Sequence, residues 1–210
     1  PMFILAGDLM AQGKVSERLV GFADSLVGFM RGGLSVVSVM AGMFFAAISG
    51  SGAATTAAVG SSLVPELKRK AYAPASAASL IAASGTIGVV IPPSVPMIIY
   101  AVIAQQSVSE LFLNGFLPGL AMGVALMAIA ITQAYKRQYP KGTPLSLATM
   151  WHTFKAASWG LMTPVIILGG IFSGIFTPSE AAVVAVNYAL LVSLFVYRDL
   201  TLPQVYKLLI

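Results

Sequence analysis

Residues 71 to 109 carry no charge, yet three prolines, Pro92, Pro93 and Pro96, interrupt the middle of this apolar run. A soluble core helix is not that long, and a plain membrane span is not broken that way. Each proline removes an amide donor and clashes with the carbonyl four residues back. Carbonyls from Gly88 to Ile91 are therefore expected to lack helical partners. Inside a bilayer such groups are tolerated only where protein, water or a ligand satisfies them. Broken helices of this kind form ion and substrate sites in transporters.

The chain is 58% hydrophobic and 9% charged, with a mean hydropathy of +0.89; a soluble domain is roughly 25% charged. An all-α integral membrane protein is predicted. The net charge of +5 is no nucleic-acid signal, because the cations lie between the apolar runs, as cytoplasmic loop charges do. Cysteine is absent, which excludes disulfides and thiolate metal sites. No signal peptide is visible, and a start at Pro1 within an apolar element reads as an interior piece of a longer protein.

Charge-free runs occupy 32–65, 71–109, 111–135, 156–179 and 181–197. A crossing helix needs about 20 apolar residues, so the last three read as single spans and the first two are too long for one each. Upstream, Val15, Leu19, Phe22, Ala23, Leu26 and Met30 recur at helical spacing against Lys14, Glu17, Arg18, Asp24, Ser25 and Arg31. That pattern predicts an amphipathic helix, lying on the membrane surface or packed on another subunit.

Cations cluster at Lys14/Arg18/Arg31, Lys68/Arg69/Lys70, Lys136/Arg137/Lys141 and Arg198/Lys207. If 32–65 crossed once, the first two clusters would face opposite sides. If it enters and returns, all four become cytoplasmic and the outward turns hold only Glu110 and Glu180, which the positive-inside rule favours. The reversal is assigned to Ile48-Ser-Gly-Ser-Gly-Ala-Ala-Thr-Thr56, where Gly50 and Gly52 permit backbone angles closed to other residues. Two legs of about 16 residues would each rise only about 24 Å, short of a hydrocarbon core of about 30 Å. A re-entrant hairpin with a polar tip fits better than two full spans.

The hairpin tip and the proline break together offer hydroxyls and backbone carbonyls without a nearby carboxylate. Neutral oxygens and half-helix carbonyl ends suit a monovalent cation such as sodium. A proton relay would want an intramembrane Asp, Glu or His, whereas Asp8, Asp24, Glu110 and Glu180 lie outside or at the edges of the runs. The bland alternative is that the glycines allow close packing and the prolines make kinks. His152, beside Trp151 and Lys155, reads as interfacial. Thr177-Pro-Ser-Glu180 reads as a helix start. Gly50-Ser-Gly52 lacks the spacing and lysine of a phosphate loop.

Several segments in order carry a resemblance: Pro1-Met-Phe-Ile-Leu-Ala-Gly7, Phe44-Phe-Ala-Ala-Ile-Ser-Gly-Ser-Gly-Ala-Ala-Thr55, Gly88-Val-Val-Ile-Pro-Pro-Ser94, Leu111-Phe-Leu-Asn-Gly-Phe-Leu-Pro-Gly119 and Gly169-Gly-Ile-Phe-Ser-Gly-Ile-Phe-Thr-Pro-Ser-Glu-Ala-Ala182. Together they resemble the large membrane subunit, DctM-like, of tripartite ATP-independent periplasmic (TRAP) transporters. The resemblance implies an elevator-type transporter with two inverted repeats in the bacterial inner membrane. Its partners would be a small membrane subunit and a periplasmic binding protein that delivers an organic acid (a C4-dicarboxylate, sugar acid or sialic acid). Sodium would be the coupling ion, with no other cofactor. It also implies a first sodium site using Ser49 and Ser51 with carbonyls around Gly88, Ile91 and Pro93. The second sodium site and much of the substrate site would fall outside this chain, so the chain alone should not transport.

The division that follows is 1–31 (the end of a membrane helix plus the surface helix), 32–109 (hairpin and broken helix), 110–150 (returning span and loop) and 151–210 (the start of a second repeat). An ion channel with the hairpin as selectivity element and a non-transporting scaffold are the alternative classes. A membrane enzyme is the weakest, because no acid, base or metal set lies at membrane depth.

Overall fold

Charge-free runs become helices in a computed structural model that describes residues 2–142, 144–201 and 203–205. Pro1 of the first quoted segment and Lys207 of the last cation cluster lie outside the described residues. The order is α1 (Met2–Gln12), α2 (Val15–Val27), α3 (Gly33–Ser49), α4 (Gly52–Arg69), α5 (Pro74–Thr86), α6 (Val95–Ala104), α7 (Val108–Lys136), α8 (Leu147–Phe172) and α9 (Pro178–Leu191). A 3₁₀ turn, Ile87–Val89, follows α5, and a π-helical turn, Val192–Val196, continues α9. Among the described residues the only extended pairing is one bridge between Arg31 and Lys141. The fold is all-α, and among the described residues three helices are long and apolar enough to cross a membrane: Val108–Lys136, Leu147–Phe172 and Pro178–Val196.

The fourth run differs from its sequence reading. Its helix, α8, starts at Leu147, upstream of Lys155, and stops at Phe172. Ser146 caps the start by accepting from the Thr149 amide. Gly174, at φ +73°, turns the chain at the other end, while the Ile175 and Phe176 amides both donate to the Gly170 carbonyl at 3.0 Å. The expected helix start at Pro178 is present as a capping box: the Thr177 amide donates to Glu180 Oε2 (2.8 Å) and the Glu180 amide donates to Thr177 Oγ1 (3.3 Å).

The amphipathic pattern folds as α2 and ends at Gly28, before Met30. Val15, Leu19 and Ala23 are fully buried, against α3 and α8 of this same chain. Phe22 lies 5.8 Å from Phe44 on α3 and 5.6 Å from Phe154 on α8, centroid to centroid. Ser25 and Thr153 hydroxyls add a 2.8 Å bond. The apolar stripe is thus covered internally, where periodicity alone left open a membrane surface or another subunit.

Contacts join the described cation clusters in pairs, and Arg31, Lys70 and Lys141 of the first three meet around one end of the bundle. The Gly32 amide donates to the Pro140 carbonyl (3.0 Å) beside the Arg31–Lys141 bridge, which joins the first and third clusters. Tyr72, just past Lys70, stacks on Tyr139 at 3.8 Å. Arg18 donates to Asp199 at 2.6 Å and lies over the Tyr197 ring, which brings in the loop of Arg198. A cavity of about 100 Å³ at this end is lined by Gly33 and Leu34 of α3 together with Glu66 of α4 and Lys70 just beyond it. The first residues of α3 and the last of α4 therefore meet, and the two helices form a hairpin that leaves and returns to the same end.

Candidate functional site

Two interruptions, one at the hairpin tip and one in the charge-free run 71–109, come into direct contact. Helix α3 stops because Gly50 adopts φ +60°, with its amide donating to the Ala46 carbonyl. Ser51 is extended and caps α4, its hydroxyl accepting from the Ala54 amide at 3.4 Å. The opposing strand of chain runs from Ile87 through a cis Pro92–Pro93 bond to Ser94. Ser94 does two jobs there: it caps α6 by accepting from the Met97 amide (3.4 Å) and donates to the Val89 carbonyl (2.6 Å).

Contact between the two is backbone to backbone. The Val95 amide donates to the Gly50 carbonyl at 3.0 Å. A side-chain carbon on Gly50 would sit 2.5 Å from the Pro93 carbonyl oxygen. One on Gly88 would sit 2.7 Å from Thr55 Oγ1 and 3.0 Å from the Ser51 carbonyl oxygen. Gly7 of α1 closes the tip from another side, where a Cβ would fall 2.8 Å from that of Ser49. Glycine at these points is what lets the segments approach.

Oxygens therefore concentrate in a buried knot. The Ser49 hydroxyl is 3.0 Å from Thr55 Oγ1 and 3.3 Å from the Ser51 carbonyl, to which Thr55 Oγ1 also donates at 2.8 Å. Ser49, Thr55 and Ser94 are all fully buried. The donors and acceptors are neutral, and no cluster of three or more His, Cys, Asp or Glu exists among the described residues. Such a set can hold a hard monovalent cation through hydroxyl and carbonyl dipoles, and offers no nucleophile–base pair.

Of the sequence-predicted residues, Ser49, Ser51, Gly88 and Pro93 lie at this contact. Ile91 is buried beside it, but its side chain packs toward α7, where Gly119 would place a Cβ 2.7 Å from Ile91 Cγ1. Of the carbonyls from Gly88 to Ile91 expected to lack helical partners, that of Val89 is met by the Ser94 hydroxyl. Three contributors escaped the sequence reading. Ser94 sits three residues before the Met97 amide it caps, a legible signal. Gly7 and Gly85, whose would-be Cβ falls 3.1 Å from the Gly52 carbonyl oxygen behind the tip, carry no local signal, since only tertiary contact gives them a role. Asp8, read as lying at an edge, falls inside α1 one residue after Gly7.

Residues 1–210 match the family described as tripartite ATP-independent periplasmic transporter, DctM component. The chain belongs to that family and, with it, to the integral proteins of the bacterial inner membrane. Over all 210 residues it is 45% identical to the C4-dicarboxylate TRAP transporter large permease protein DctM of Pseudomonas aeruginosa, covering 49% of that protein. It is 43% identical to the 2,3-diketo-L-gulonate TRAP transporter large permease protein YiaN of Escherichia coli, again covering all of this chain and 49% of the relative. Identity to the sialic acid TRAP transporter permease protein SiaT of Haemophilus influenzae is 39% over 207 residues, 99% of this chain and 34% of that protein. The chain spans about half the length, or less, of these curated relatives.

Proposed function

We propose that this chain forms part of the permease subunit of a sodium-coupled secondary transporter that imports small organic acids, and that it is not an enzyme. A sodium ion would bind between the hairpin tip and the broken helix, using Ser49, Ser51 and backbone carbonyls near Gly88, Ile91 and Pro93. The observation that carries this reading is the Gly50–Pro93/Val95 contact, which holds two helix ends and buried hydroxyls together without a carboxylate. Half-helix ends and neutral oxygens at mid-membrane are how secondary transporters hold coupling cations. The gathering of cations at one end supports a re-entrant hairpin whose tip stops within the bilayer.

The substrate class rests on the relatives, whose names cite C4-dicarboxylates, 2,3-diketo-L-gulonate, sialic acid and isethionate. All are small organic anions. A small membrane subunit and a periplasmic binding protein are the partners this reading requires. Sodium that bridges the tip and the break would favour the substrate-ready geometry, since a ligand shifts populations only through differential contacts. The test is uptake into proteoliposomes containing the full-length subunit, its small partner and a loaded binding protein. Accumulation should need an inward sodium gradient and saturate with substrate. Equal uptake under a potassium gradient, or flux without the binding protein, refutes the proposal.

A further inference from the structure

A second site lies at the opposite end from the proline break, where the first and third cation clusters meet. Arg31 and Lys141 are held side by side by their backbone bridge. Both line an open cleft of about 520 Å³ whose other walls are Phe29, Met30 and Tyr135. The Arg31 Nε is buried and has no hydrogen-bond partner among the described residues. Phe29 and Tyr135 are exposed, as is Lys141. Asp24 and Glu66 line the neighbouring cavity, which Lys141 also borders, but no carboxylate lines this cleft.

The position of the cleft identifies its occupant. Helix α7 exposes Leu113, Leu117, Leu120, Val124 and Ile129 along one spanning length, and Tyr135 continues that exposed series to its end. Lys136 and Arg137 follow at once. An exposed apolar series that ends in an aromatic and then cations marks the passage from hydrocarbon to headgroup level. A guanidinium binds phosphate through charge-assisted bonds, and basic pockets on the cytoplasmic side of a bundle take anionic headgroups.

We propose that Arg31 and Lys141 bind the phosphate of an anionic phospholipid of the cytoplasmic leaflet, with its chains running along α7 past Tyr135. The bound lipid bridges the loop after α2 and the loop after α7. Lipid binding here is independent of sodium coupling and of the substrate.

The test uses the full-length subunit in nanodiscs of phosphatidylcholine with increasing phosphatidylglycerol, with retained lipids counted by native mass spectrometry after transfer to mild detergent. Each cation near an anionic surface contributes about fivefold in affinity, so Lys141→Gln should lower the retained phosphatidylglycerol-to-phosphatidylcholine ratio by about that factor. Arg31→Gln with Lys141→Gln should abolish the preference, while Lys155→Gln, with the same charge change elsewhere, should keep it. Lys141 is exposed, so its variant remains informative if the double variant misfolds. Equal retention of the two lipids by the parent, or a Lys141→Gln ratio equal to the parent's, overturns the proposal. So does displacement of phosphatidylglycerol by inorganic phosphate, which would make this a site for soluble anions.

Discussion

Replacing Gly50 by alanine tests the tip–break contact without touching any hydroxyl. The position has φ +60°, and a Cβ there would lie 2.5 Å from the Pro93 carbonyl oxygen, a backbone atom that cannot swing aside. Left-handed backbone costs a non-glycine residue about 1–2 kcal/mol. Relieving the clash would move the tip from the break and weaken the 3.0 Å bond from the Val95 amide to the Gly50 carbonyl, about 0.5–1.5 kcal/mol more. The expected loss is roughly 1.5–3.5 kcal/mol. Gly174 supplies the control, since it has φ +73° with no atom within 4 Å of its would-be Cβ. Gly174→Ala should show backbone strain alone, about 1–2 kcal/mol. Gly21→Ala, in the middle of α2 with open space around it, should be neutral or slightly stabilising by helix propensity. Thermal unfolding of the three variants in one detergent gives the order directly. Equal losses for Gly50→Ala and Gly174→Ala would refute a tight contact between tip and break.

Ser94→Ala should cost more than Ser146→Ala, because Ser146 only caps α8 whereas Ser94 both caps α6 and donates to the Val89 carbonyl. About 1 kcal/mol is expected for a cap alone, against roughly 1.5–2.5 kcal/mol for the cap plus one further hydrogen bond; equal shifts in thermal midpoint would contradict the role given to Ser94. Asp8→Asn should leave the difference between sodium and potassium stability unchanged, since the site is built from neutral oxygens. Loss of that difference would bring the carboxylate after Gly7 into the ion site.

What the sequence revealed and what it hid divide along physical lines. The proline break, the Ser-Gly-Ser-Gly tip and the capping box at Thr177 are local devices: each follows from backbone angles or short-range hydrogen bonds written into adjacent residues. The joining of tip and break was inferred from topology, because loop cations constrain which ends lie together even when no contact is known. The neighbours of α2 were hidden, because an apolar stripe says that something covers it without saying what. Gly7 and Gly85 were hidden for a related reason, as a glycine inside an apolar helix reads the same whether it touches another segment or lipid. The start of α8 at Leu147 lay upstream of where charge placed it, since Lys155 and His152 are carried on the helix itself. A long side chain at a helix end need not end the helix.

The most direct measurement is the thermal stability of the full-length subunit in detergent, titrated with sodium against potassium at fixed ionic strength, beside Ser51→Ala. A ligand that binds the folded state raises stability by mass action, about 2.7 kcal/mol at a hundredfold excess over its Kd. Ser51 also caps α4, so the variant should start lower in both salts, and the informative quantity is the gap between them. The account predicts a rise specific to sodium in the parent that Ser51→Ala loses. No gap in the parent, or an equal gap in both proteins, would contradict a sodium site at the hairpin tip.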